Sequence, residues 1–307
     1  VRGAGFAGCG ALDGAFGNVV STFNTSAAGS VAPVPLGNYA VSSGAVPITS
    51  FVQGYDATSS GAIVLTSLDP ANDTTLSDWS PALDPTLSGD VIKGSDVLVM
   101  LGPQPGTAPT GVTATTTGLA TIAVQSTSAF TSAGGVGAIS DCGKTELFGV
   151  TALSSTTITH NAGSGPLGNS SAVFGVNFNP GAQVIPMQLT ALFVGNNTDG
   201  HPALMYAVYG TSGWTVSPLI PGVDAMAVQY GTGSNFATTG YVPASSVTDW
   251  TSVYSIRISL LVEGQAQAVS GHSTAANTFS MLGTSVTAPA DGVLRHVDDL
   301  TINLRNL

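Results

Sequence analysis

Few residues in this chain have the chemistry for catalysis or cofactor binding. Glu occurs only at Glu146 and Glu263, far apart in sequence, so no paired acid and base is marked. The histidines His160, His201, His272 and His296 are scattered and lack the short spacing that presents imidazoles to a metal. Ser is abundant, yet no Gly-x-Ser-x-Gly elbow occurs, and a triad assembled in space leaves no linear trace. Gly3, Gly5 and Gly8 spell GxGxxG, but only Val1 and Arg2 precede them and no acid lies between Asp13 and Asp56. A dinucleotide site needs a strand before the glycines and an acid about 20 residues after them. Residues 138–145 resemble a phosphate loop with Ala138 in place of the first Gly. A strand-like run follows where that loop needs a helix, and Asp141 would oppose phosphate. Asp69, Asn72, Asp73 and Asp78 form a small acidic loop without the terminal Glu of an EF-hand, which reads as a solvated turn rather than a calcium site. The chain is therefore read as non-enzymatic, with no cofactor and no metal.

The charge balance narrows the partners. Lys and Arg number 6 against 17 acidic residues, a net charge of −11. The cations are Arg2, Lys93, Lys144, Arg257, Arg295 and Arg305, too scattered to build the basic patch that nucleic acid or an anionic membrane surface requires. Charged residues make up 7% of the chain against roughly 25% in an average domain. Hydrophobic residues at 43% recur in regular segments, so a sizeable core is expected. Cys9 and Cys142 are an even pair in a Ser/Thr-rich, Lys-poor chain. One disulfide in an oxidising compartment is the first reading and two buried thiols the second. No apolar run is long enough to span a bilayer.

The elements that must position any site are strands. Residues 1–10 are small and apolar and read as the end of a truncated helix; residues 11–307 read as one β-rich head. Residues 11–90 are irregular, with Leu-Asp-Pro at 68–70 and 83–85. Strands are predicted over Val91–Leu101, Leu119–Gln125, Thr145–Val150, Val184–Val194, Leu204–Tyr209, Trp214–Ile220 and Val223–Tyr230, with 103–118 a loop. Asp199-Gly200 predicts a tight hairpin, because both residues tolerate positive φ. Val253–Glu263 alternates: Tyr254, Ile256, Ile258, Leu260 and Val262 on one face, Ser255, Arg257, Ser259 and Glu263 on the other. That is a half-buried strand, predicted to be central, with Arg257 paired to an acid on the outer face. Leu300, Ile302 and Leu304 alternate likewise near the end. The fold class is α+β, mostly antiparallel sheet; no strand–helix alternation supports a doubly wound fold.

Several segments, in order, resemble one family. They are RGAGFAGCG at 2–10, SDVLVMLG at 95–102, ISDCGKTELFGVTAL at 139–153, LFVGNNTDGHPALMYAV at 192–208, LIPGVDAMAVQYG at 219–231, SSVTDWTSVYSIRISLLVEG at 245–264 and RHVDDLTINLRNL at 295–307. The chain is similar to PilW-type minor pilins of the type IV pilus and, more distantly, to the type II secretion pseudopilin GspJ. The loop at 231–241 lacks the family's Asp-rich turn. The resemblance implies a pilin-like head on a long N-terminal helix with a methylated N-terminus. It implies a disulfide between Cys9 and Cys142, which would tie the helix end to the sheet. It implies a role in priming pilus assembly and placing a tip adhesin, hence in twitching motility and adhesion. Other minor pilins, the major pilin and a large tip adhesin are then the partners, and the isolated head is monomeric. The helix would anchor a periplasmic head in the inner membrane of a Gram-negative cell until the subunit enters the surface pilus. Arg2, Gly3, Gly5, Phe6 and Gly8 would form the partner interface where that helix enters the head, since small residues allow close helix approach. The alternatives are a secreted carbohydrate-binding or adhesive β-domain and, third, a secreted hydrolase.

Overall fold

The computed structural model describes residues 19–21, 37–38, 47–48, 51–57, 62–64, 71–83, 85–130, 134–141, 145–163, 169, 171–210, 213–234, 237–264 and 276–304. The first strands in chain order are β1 (Val19–Ser21), β2 (Gly37–Asn38), β3 (Pro47–Ile48), β4 (Val52–Ala57), β5 (Ala62–Val64), β6 (Trp79–Ser80) and β7 (Val97–Pro103). Next come β8 (Thr110–Gly111), β9 (Thr121–Ala123), β10 (Val136–Ser140), β11 (Thr145–Gly149), β12 (Ala152–Leu153) and β13 (Thr157–Thr159). The longest follow: β14 (Gln183–Asn196), β15 (Pro202–Gly210), β16 (Gly213–Pro221), β17 (Val223–Ser234), β18 (Ala237–Val242) and β19 (Val253–Glu263). The last are β20 (Asn277–Met281), β21 (Thr284–Ala288) and β22 (Arg295–Asn303). Strand pairing is antiparallel except for β1 with β11 and β5 with β21. Helix among the described residues amounts to three single 3-10 turns, Leu76–Asp78, Ala244–Ser246 and Trp250–Ser252. The β-rich, antiparallel expectation holds. The helical part of the α+β expectation falls on residues 1–10, outside the described residues.

Two sheets make the principal core. The large sheet runs β1-β11-β10-β14-β7-β4-β6, with β15, β16 and β8 joined through β14. A four-stranded sheet, β18-β17-β19-β22, packs on one of its faces. Period two explains the split. Leu98, Met100 and Val194 turn toward Met226, Val228, Tyr230, Ile256 and Ile258 of the smaller sheet. Val97, Val99, Leu101, Leu189, Ala191 and Phe193 turn the other way, onto Trp79, Leu83, Leu87 and Val91. A strand buried on both faces reads as a continuous apolar run, as Val97–Leu101 does. A third layer, β20-β21-β5, covers the back of the four-stranded sheet through Met281, Val286 and Ala288 against Ala225, Ala227 and Leu261.

Several predicted elements change in detail. The strand predicted over Val91–Leu101 starts only at Val97. Gly94 turns the chain at φ 80° before it, while the Ile92 N–H bonds the Val194 carbonyl. Within the loop predicted at 103–118, β8 pairs with β14. The hairpin at Asp199-Gly200 is not a two-residue turn. Asn196 pairs with Pro202, and Asn197 Oδ1 accepts the N–H groups of Asp199 and His201 at 2.9 and 3.0 Å, so only Gly200 needs positive φ. The phosphate-loop-like run falls on an antiparallel pair, with Ser140 of β10 opposite Thr145 of β11.

β19 has its predicted bounds and lies inside its sheet, but it is buried on both faces. Ser255, Ser259 and Leu261 are as enclosed as Ile256, and the third layer packs on Leu261; Leu260 is only half-buried. Ser255 meets the hydroxyls of Thr238 and Tyr241 at 2.8 and 3.0 Å. Arg257 pairs with no acid among the described residues. Its guanidinium stacks on the Tyr241 ring, 3.7 Å from the centroid.

Asp96, at the entrance to β7, ties the two main sheets together. Its Oδ1 accepts the Ala57 N–H of β4 at 2.9 Å, and its Oδ2 accepts the Val228 N–H of β17 at 2.7 Å. Its own N–H bonds the Met226 carbonyl at 3.0 Å. Burial raises the Asp96 carboxyl to about 7, against the pull of the two N–H donors. Beside it, the Tyr230 ring lies over Gly54, where a Cβ would stand 2.0 Å from the phenolic oxygen.

Two stability predictions follow from this packing. Asp96→Ala should cost about 1–3 kcal/mol for each backbone donor it orphans, and Asp96→Asn, which keeps one acceptor, should cost less. Ile256→Ala should cost about 2–5 kcal/mol, whereas Leu300→Ala, on a side chain 56% exposed, should stay within about 0.5 kcal/mol. Urea denaturation of the four variants measures both.

Candidate functional site: the acidic edge of the four-stranded sheet

The residues predicted to meet partners, Arg2, Gly3, Gly5, Phe6 and Gly8, lie outside the described residues, as do both cysteines of the predicted disulfide, Cys9 and Cys142. Among the described residues, the histidines, Glu146 and the acidic loop do not converge. His160 is buried, stacked on Phe174 with centroids 4.0 Å apart and tilted against Phe148; burial lowers its pKa to about 4. His201 sits in the β14–β15 connection and His296 on β22; His272 lies outside the described residues. Glu146 is enclosed on β11, where it accepts the Gly175 and Val176 N–H groups and pins the strand to the 171–182 loop. At the acidic loop, the Lys93 ammonium stands 2.9 Å from Asp78 and 3.9 Å from Asp73, so a side-chain cation takes the place a metal would need. Asp69 is outside the described residues. No group of three His, Cys, Asp or Glu able to hold a metal occurs among the described residues.

The strongest polar constellation is one that sequence reasoning did not find. Arg295 opens β22 and is enclosed, 1% exposed. Its Nε donates to Asp224 Oδ2 on β17 at 2.6 Å. Nη1 and Nη2 donate to the two oxygens of Asp291 at 2.8 Å each, a fork-on-fork pair. Nη2 also reaches Glu263 Oε1 at 3.4 Å, because the register sets Glu263 of β19 opposite Arg295. Burial raises the Asp224 carboxyl against the pull of Arg295. Burial, then the neighbouring Asp224, lift Glu263 to about 7. Arg295 is held charged: burial works against it, and Asp291 and Asp224 outweigh burial. Three carboxylates against one guanidinium leave an excess of negative charge, and the Glu263 proton relieves it. The partners lie 71, 32 and 4 residues from Arg295, so the only linear sign was an arginine beside acids.

Beyond Arg295, β22 runs along the rim of its sheet, paired only with β19 among the described residues. Nine consecutive pairs, from Ser255–Asn303 to Glu263–Arg295, continue without a register shift. The Leu304 N–H bonds the Tyr254 carbonyl and the Gly264 N–H bonds the Leu294 carbonyl. Antiparallel pairs alternate between bonded and non-bonded. Even-numbered residues of β22 therefore bond β19, and the backbone groups of Asp299, Thr301 and Asn303 point off the sheet. All three residues are exposed, as are Asp298 and Leu300. His296 Nε2 lies 3.1 Å from Asp298 Oδ2 in the open.

A pH prediction rests on the raised Glu263. In the folded chain its proton is held up to about pH 7; in the unfolded chain it leaves near the ordinary value of 4.5. Glu263 thus contributes stability that is complete below the unfolded value and is lost as pH rises through 7. Asp96 acts in the same sense between 3.8 and about 7. His160 acts oppositely, losing stability as pH falls from 6.5 toward 4. The melting temperature should fall as pH rises from 4.5 to about 7, the two raised carboxyls outweighing His160, and level off above that, and Glu263→Gln should remove part of the fall; thermal melts across the range check it.

Comparison with known proteins points to this part of the chain. Residues 191–306 match the family model described as PilW, type IV pilus-assembly protein W. The match takes in the end of β14, the β15–β16 hairpin, the whole four-stranded sheet and all four members of the Arg295 cluster. No curated protein and no solved structure matches the chain.

Proposed function

We propose that the chain is a minor-pilin-type subunit of a type IV pilus, acting through protein–protein contacts and not through catalysis. The observation that carries this reading is the family match over residues 191–306, which falls on one complete sheet and its buried ion cluster. The earlier segments resembling the same family, SDVLVMLG and ISDCGKTELFGVTAL, lie on β7 and on the β10–β11 pair, and β7 and β10 flank β14. In this reading the subunit primes filament assembly together with other minor pilins and helps place a tip adhesin, with the major pilin added behind it. Its head is periplasmic before assembly and lies at the cell surface afterwards. Arg2, Gly3, Gly5, Phe6 and Gly8 mark where an N-terminal helix joins the head, and Cys9 pairs with Cys142.

Deleting the gene in the source strain tests the role. Surface pili counted by electron microscopy should be largely lost, twitching should stop, and the intact gene should restore both. Normal pilus number and motility in the deletion strain would overturn the reading and favour a secreted adhesive β-domain.

A further inference from the structure

The sheet margins of this molecule are treated differently from one another. At the ends of the large sheet, β1 has three residues and β6 two. Along its side branch, β16 carries Pro218 and Pro221, and its pairing with β15 is broken by a bulge at Leu204/Met205. On the four-stranded sheet, the β18 margin has a bulge at Thr232/Gly233. Exposed charge discourages like-charged strands at a sheet margin, and three further devices, short strands, prolines and bulges, stop it from recruiting any strand. β22 has none of the three. It is nine residues long, free of proline and unbulged, with the backbone of Asp299, Thr301 and Asn303 turned outward.

We infer that the β22 margin is a strand-acceptor site for an extended segment of a partner protein that alternates basic and apolar residues. The chemistry of the margin selects that occupant. Leu300 shares a face with Ile302, which packs on the main core, yet Leu300 itself is 56% exposed. A strand laid beside β22 would set an apolar side chain next to Leu300 and extend that core. Asp299 holds an exposed carboxylate on the opposite face, so the alternate positions of the incoming strand need Lys or Arg to neutralise it, while the exposed Asp298 shares the face of Leu300. The same acids reject acidic strands, including a second copy of a chain with net charge −11. Backbone pairing supplies the attraction and the alternating side chains supply the choice of partner. This surface gives the proposed assembly role a second contact, distinct from the N-terminal one, but its geometry stands whether or not the chain belongs to a pilus.

The test uses the whole chain and a short capped peptide alternating Lys with Val. Amide exchange followed by NMR should slow at Asp299, Thr301 and Asn303 when the peptide is added. A peptide with Glu in place of Lys should leave these amides unchanged. Thr301→Pro removes an outward N–H that β19 does not use, so it should keep the melting temperature and weaken peptide binding at least about tenfold, as should the Asp298→Lys/Asp299→Lys pair. Absence of binding at millimolar peptide, or binding that leaves the three amides unprotected and is unchanged in a folded Thr301→Pro variant, would overturn the inference. Neither result touches the deletion phenotype, so the acceptor site and the pilus role fail separately.

Discussion

Asp96 stands where three parts of the fold come together, and the rest of the architecture is built around satisfying it. A carboxylate buried without partners is among the costlier things a protein can contain. Here each oxygen takes a backbone N–H, one from β4 and one from β17, strands of different sheets. That requirement constrains how the two sheets approach one another. The turn at Gly94 and the bond from Trp79 Nε1 to the Ser95 carbonyl bring the carboxylate to that point. Leu98, Met100, Met226 and Val228 then close a common core around it. Hydrophobic packing alone is indifferent to small sliding of one sheet over another; a two-donor carboxylate is not.

The same economy runs through a chain with few charges. Glu146 holds a long loop onto β11, Asp96 joins two sheets, and Asp224, Glu263 and Asp291 enclose Arg295. One of the six cations is thus buried entirely, and another, Lys93, bridges the acidic turn ahead of β7. A buried ion cluster contributes little net stability once desolvation is counted, but removing one member leaves uncompensated charge. Its effect is geometric. It locks the start of β22 to both β19 and β17, so the register of the final strand is fixed at its first residue.

That fixed register settles what the β22 margin presents to solvent. A strand that could slip would present Leu300 and the two aspartates in varying positions. A strand pinned by Arg295 at one end and by the Leu304 bond to Tyr254 at the other presents them in one arrangement. β1 and β6 are short, β16 carries prolines and a bulge, and the β18 margin is bulged. The family match over residues 191–306 coincides with this rigid unit, whose sheet, ion cluster and exposed margin all lie within it.

By itself the sequence determined the β-rich, antiparallel character of the fold and the position of its strongest strands. Period-two alternation and β-branched content are local, and they placed β14, β15, β17 and β19 within a few residues of their observed bounds. Composition was equally local evidence against a basic binding surface. What the sequence left open was which faces are covered, since that depends on how many layers stack on a strand. Val253–Glu263 alternates as if half-buried, yet Ser255 and Ser259 are as enclosed as Ile256, and the third layer packs on Leu261. The two-residue hairpin at Asp199-Gly200 failed for a related reason: Asn197 organises a longer loop through its side chain, a choice that pair preference does not encode. The Arg295 cluster and the Asp96 clamp were illegible because all their members but the Arg295–Asp291 pair are separated by tens of residues or more, and only the folded sheets bring them within bonding distance. Charge pairing acts through space, and a linear sequence records no distance between residues that folding alone makes neighbours.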